Sequence, residues 1–237
     1  MVSDQKMYDP KSKVEALIEK GKEYYRNNDH DNAIKQFDEA IDILNTVIRL
    51  DPNDASAYVW RGDAYLMKSE YDTAINDRSE FIRLNPNDAS AYTLRGEAYR
   101  MKGQYDSAIN DFNEAIKLNP NSAHTYALRG EAYRKKGEYD TAISDFNEAI
   151  RLNPNEALFY GQRGAVYSLK GEYDASINDL NEYIRLNPND AIMYEIRGEV
   201  YKQLGQKSQA IQDFDKALSL DPDLEGVREE LEEIQQP

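Results

Sequence analysis

The chain has no cysteine, two histidines and one tryptophan among its 237 residues. Without cysteine there can be no disulfide, no thiolate metal site and no thiol nucleophile, while the redox compartment is left open. Neither His30 nor His124 stands in a metal-ligand spacing or beside a nucleophile, so the sequence predicts no enzyme, no cofactor and no metal. Basic residues are the minority, 29 against 44 acids, and the net charge of −15 opposes nonspecific binding to nucleic acid or anionic membranes. Any charge-steered partner is therefore expected to be basic. No apolar run is long enough to cross a bilayer. The N-terminal stretch MVSDQKMYDPKSK has charges where a signal peptide needs apolar residues, which points to the cytoplasm, although a chain trimmed of its leader would look the same.

What the chain does have is a period. Pro52, Pro86, Pro120, Pro154, Pro188 and Pro222 are spaced by 34 residues, and Gly62, Gly96, Gly130, Gly164 and Gly198 repeat with them. Such self-similarity marks a stacked solenoid. In residues 123–156, Tyr126, Gly130 and Tyr133 fall on one helical face, and Gly137 is placed to end that helix in the left-handed conformation. Ala142, Ile143, Phe146, Ala149 and Ile150 form a second stripe, with Asp140 expected as its N-cap and Asn153-Pro154 as its end. Each unit thus reads as helix, turn, helix, turn. A glycine in mid-helix costs about 1 kcal/mol relative to alanine. Gly130 is accordingly expected where two helices approach closely, with Ala142 and Ala149 small for the same reason.

These residues resemble the tetratricopeptide repeat family, whose pattern has an aromatic at position 4, Gly at 8, Tyr at 11, Ala at 20, an aromatic at 24, Ala at 27 and Pro at 32, counting Ala123 as position 1. Repeat 3 carries all of it in Tyr92, Gly96, Tyr99, Ala108, Phe112, Ala115 and Pro120. The resemblance implies an all-α fold, a right-handed superhelical solenoid of stacked antiparallel helix pairs. Its six repeats span about 14–52, 55–88, 89–122, 123–156, 157–190 and 191–224, with a capping helix at about 224–236, all in a single domain over 1–237.

The repeats depart from the pattern in four ways. Position 7, often leucine in the family, is Arg61, Arg95, Arg129, Arg163 and Arg197, matched at position 23 by Asp77, Asp111, Asp145, Asp179 and Asp213. Repeat 1 changes both together, to Lys20 and Gln36, so an ion pair within or between repeats is expected. Repeat 1 also runs seven residues longer before its proline, offering Leu44, Val47 and Ile48 to repeat 2, as a cap of the N-terminal end, or as a surface for a second copy of the chain or another partner. In repeats 2 and 5 the aromatic moves from position 24 to 27, as Phe81 and Tyr183, leaving Arg78 and Leu180 in its place. An alternative packing of the same face is expected. After Pro222, Leu224, Val227, Leu231 and Ile234 keep helical spacing amid acids, as a solvating cap would.

In the family, positions 2, 5, 9, 12 and 13 of the first helices face a concave groove, so the resemblance implies a non-enzymatic interaction module for an extended peptide or partner segment. Carried onto this chain, the candidates are Val59, Asp63, Leu66 and Met67 in repeat 2, with Trp60 beside them as a packing residue; Thr93, Glu97, Arg100 and Met101 in repeat 3; His124, Ala127, Glu131 and Arg134 in repeat 4; and Leu158, Gly161, Ala165 and Ser168 in repeat 5. Glu97 with Arg100, and Glu131 with Arg134, are spaced to pair within one helix. Small Gly161 and Ala165 suggest a pocket for an apolar anchor. The expected partner is a protein or peptide, basic or apolar, held along repeats 2 to 5. Acids at position 9 (Asp63, Glu97, Glu131 and Glu199) argue against the clamp with which chaperone-binding relatives hold a terminal carboxylate. A monomer is favoured, with a homodimer through the long helix of repeat 1 left open. A structural spacer, a self-assembling scaffold and a module cut from a larger protein also remain open.

Overall fold

The computed structural model describes residues 10–235. Residues 1–9, which hold most of the N-terminal stretch read above, lie outside the described residues. Among the described residues there are thirteen helices and no strand. They fall into two compact units, one ending at Pro120 and the other beginning at Asn121.

The first unit contains α1 (Pro10–Arg26), α2 (His30–Leu50), α3 (Ala55–Met67), α4 (Tyr71–Leu84), α5 (Ala89–Met101) and α6 (Tyr105–Leu118). The second contains α7 (Ala123–Lys136), α8 (Tyr139–Leu152), α9 (Ala157–Leu169), α10 (Tyr173–Leu186), α11 (Ala191–Gln203), α12 (Lys207–Leu220) and α13 (Glu225–Gln235). Within each unit successive helices pack as hairpins, and each hairpin stacks on the next through its neighbouring second and first helices.

The hairpin turn depends on one left-handed residue. Gly103, Gly137, Gly171 and Gly205 take φ between 70° and 83°, as expected for Gly137. Asn28 and Ser69 hold the same place at 58° and 60°, where a side chain is strained. This turn also fixes where the second helix begins. After Gly137 the N–H of Glu138 donates to the carbonyl of Tyr133 (3.0 Å), and Glu138 is then the N-cap, with no side-chain cap bond. Asp140, expected as the cap, lies inside the first turn instead. The capping preference of aspartate points to it, but the turn geometry starts the helix two residues earlier. Caps of the expected kind open the first helices, where Asp54, Asp88, Ser122 and Asp190 accept from backbone N–H groups.

Close approach explains the glycine grid. A Cβ on Gly96 would lie 2.6 Å from the ring of Phe112, and one on Gly130 would lie 3.2 Å from both Phe146 and the carbonyl of Ala142. Phe37, Phe112, Phe146 and Phe214 are fully buried against these helices, together with Ala108, Ala142 and Ala210. The extension of repeat 1 makes α2 21 residues long against 14 in α4 and α6. Leu44 is buried, and Val47, Ile48 and Trp60 pack with it on the cluster that holds Val14 and Phe37. The apolar strip is therefore covered by repeats 1 and 2 themselves, leaving Leu50, 78% exposed, as its bare end. At the other terminus Val227 and Ile234 of α13 are buried on Phe214 and Ala217, with Leu224 and Leu231 alongside, so the last segment is a cap helix.

Candidate functional site: the first-helix faces

The first helices are held in register by the arginine–aspartate pairs expected from sequence. Arg61 meets Asp77 through two parallel bonds, Nε to Oδ2 (2.9 Å) and Nη2 to Oδ1 (2.6 Å). Arg95 with Asp111, Arg129 with Asp145, Arg163 with Asp179 and Arg197 with Asp213 repeat the geometry. Each pair joins the two helices of one repeat. The remaining nitrogen reaches the preceding repeat, as Nη1 of Arg61, Arg163 and Arg197 donates to Asn45, Asn147 and Asn181, and that of Arg95 to Ser79. The sequence left open whether the tie lies within or between repeats; one guanidinium does both, because its five donors fan out in a plane. Hydrogen bonding by Asp77 and Asp111 raises the pKa of Arg61 and Arg95 above the ordinary arginine value.

A second ladder was missed in the sequence. Lys68, Lys102 and Lys170 pair with Asp38, Asp72 and Asp140 of the preceding repeat, at 2.7, 2.5 and 2.6 Å. The separation of 30 residues between partners is constant and was the available signal. These pairs are solvated on the aspartate side, so each contributes little.

Repeat 2 breaks the pattern of its core. Arg78 stands where Phe112 stands in repeat 3 and is fully buried (0% exposed). Its Nε lies 3.2 Å from where a Cβ on Gly62 would be. Nη2 pairs with the carboxylate of Asp63, whose side chain is 46% exposed, whereas Nε and Nη1 have no hydrogen-bond partner. In repeat 5, Leu180 fills that place and Tyr183 lies against Gly161, its ring 2.8 Å from where a Cβ would be. The Tyr183 hydroxyl donates to Asp190 (2.7 Å). The pocket expected beside Gly161 is thus occupied by this chain's own ring.

The other candidates divide by burial. Ala127 is buried on Phe146, and Met67 packs on the core of the first unit while its carbonyl accepts from Tyr25 (2.8 Å). Val59, Leu66, Thr93, Glu97 and Ser168 are half-buried, and Met101, His124, Leu158 and Ala165 are exposed. Glu131 and Arg134 pair through two bonds of 2.6 and 2.7 Å, as their spacing suggests. Arg100 does not repeat this with Glu97; its Nε is buried without a hydrogen-bond partner. Outside the sequence-derived set, Ile192 at position 2 of repeat 6 is also exposed. Among the described residues no group of acids and histidines is arranged to hold a metal ion, and no helix is long and apolar enough to cross a membrane.

A comparison with curated proteins gave no match. Solved structures share the architecture. The MamA protein is 28% identical, with a TM-score of 0.64 over 71% of this chain and 92% of its own. YrrB, described as a TPR protein with an unusual peptide-binding site, is 20% identical with a TM-score of 0.64, covering 80% of this chain and 97% of its own. The C-terminal part of a TPR repeat-containing protein from Cytophaga hutchinsonii, 21% identical, gives 0.70 over 92% of this chain and 84% of its own. Family models described as TPR repeat match residues 36–69, 96–136 and 130–171. Models described as tetratricopeptide repeat match 14–43, 79–110, 157–190 and 191–224. Together these matches reach into every hairpin, and the chain belongs to the tetratricopeptide repeat family.

Proposed function

We propose that the chain is a non-enzymatic interaction module that holds extended partner segments on the open first-helix faces within each of its two units. The family is in general one of protein–protein interaction modules, and a relative of the same fold is described by its peptide-binding site. The observation that carries the reading is the division of labour along each first helix. Glycines and small residues are consumed by the second helix and arginines by the clasp, while Met101, Leu158, Leu169 and Ile192 stay exposed. Apolar side chains left open on a polar protein gain by being covered.

The partner segment is basic, as the charge of −15 favours, or apolar, as the exposed Leu158 and Ile192 favour, and the acids at position 9 disfavour a chaperone carboxylate. The module acts as a monomer, because the apolar strip of α2 is already covered within repeats 1 and 2. Affinity capture followed by cross-linking mass spectrometry tests this. Met101→Glu, Leu158→Glu and Ile192→Glu should abolish recovery of a specific partner, while Leu118→Glu on α6 should not. Equal losses would remove the groove reading, and unchanged partners with altered self-association would favour a scaffold.

A further inference from the structure

One depression on the second unit has a lining that matches a single kind of side chain. It encloses about 360 Å³ between α9, α10 and α11, bounded by Ser168, Tyr173, Glu195, Ile196, Glu199, Val200 and Gln203. Its floor is apolar, since Val200 is buried on Ile177 and Leu180, and Tyr173 and Ile196 pack beside them. Glu195 and Glu199 stand one helical turn apart on α11, and no lysine or arginine lines the space. Lys202, the next cation along α11, is drawn away by the cap helix, where it pairs with Glu230 and Glu233.

We propose, resting on the peptide-binding reading above, that this depression is a socket for a lysine or arginine side chain of an extended partner segment. Such a side chain combines an aliphatic stem, which covers Tyr173 and Ile196, with a cationic head that reaches Glu195 and Glu199. A purely apolar side chain would desolvate the carboxylates without pairing them, and an acidic one would be repelled. Burial, followed by the charges of Glu230, Glu195 and Glu233, pushes the Glu199 carboxyl above its ordinary range, against the pull of Lys202. A cation at this place relieves that repulsion. The neighbours of Ser168 on α9, Ala165 and Leu169, are exposed and give the residues flanking the basic one an apolar surface.

The test uses the full chain labelled with ¹⁵N and three capped nonapeptides of glycine, leucine and one variable residue, which is lysine, glutamate or norleucine. The lysine peptide should shift amides in 168–173 and 195–203, and neither counterpart should. Glu195→Gln with Glu199→Gln should weaken the lysine peptide by about tenfold or more, with circular dichroism confirming the helices. Shifts confined to other first-helix faces, or affinity unchanged in the double variant, would overturn the socket and leave the groove reading standing. Absence of shifts on every first-helix face with all three peptides would overturn both.

Discussion

Repeats 2 and 3 are neighbours in the first unit and fill the same place with opposite chemistries. Beside Gly96 lies the ring of Phe112; beside Gly62 lies the guanidinium of Arg78. Both side chains are fully buried. The ring fills its place with apolar contacts alone. The guanidinium leaves water with one exposed carboxylate to pair it, and two of its nitrogens bond to nothing. An unsatisfied buried donor costs about 1–3 kcal/mol. The fold therefore tolerates a poor occupant in one hairpin because adjoining hairpins are well packed, as expected where stability adds over repeats and their interfaces.

The largest effect belongs to the well-packed side of this comparison. Phe112→Ala should cost about 3–5 kcal/mol in denaturant unfolding, by removing a buried ring that Gly96 cannot replace. A loss below about 1 kcal/mol would mean that the site collapses freely, as a soft core would. Next comes the clasp, which repeats 2 and 3 share with repeat 4. Leucine at Arg129, at Asp145 and at both should show a coupling of about 0.5–3 kcal/mol. Additive losses would reduce the clasp to two independent packing residues. The smallest effect is in the turn, where Ser69 occupies the conformation that Gly103 takes in repeat 3. Ser69→Gly should stabilise by about 1 kcal/mol, whereas Gly103→Ser should destabilise by a similar amount.

The period made the hairpins, the glycine contacts, the extension and the cap legible, because each is a question of which positions face inward. The clasp was legible for a different reason: Arg61 and its equivalents change together with Asp77 and its equivalents inside one chain. Three features were not. Asp140 reads as a cap because aspartate caps helices, but the left-handed Gly137 places Glu138 there. Arg78 reads as part of an alternative packing of its helix face, but not as the buried occupant itself, because charges are rarely buried. Gly161 reads as an opening, since a single sequence does not tell that Tyr183, 22 residues later, turns its ring onto it. Of the residues of the proposed socket, the sequence reading names Ser168 and Glu199 but not Glu195.

The same substitution at the two equivalent places tests the central claim most directly. Arg78→Leu and Phe112→Leu each install the residue that repeat 5 carries as Leu180, and their unfolding midpoints in guanidinium chloride can be compared with the parent chain. Replacing a buried ion pair by hydrophobes is often neutral or stabilising by about 1–4 kcal/mol, and in this pair only the arginine is buried, because the Asp63 side chain is 46% exposed and is not left as a buried lone charge. Arg78→Leu should therefore raise the midpoint while Phe112→Leu lowers it. A fall in both would contradict the account, because it would show that the buried arginine stabilises repeat 2 as the ring stabilises repeat 3.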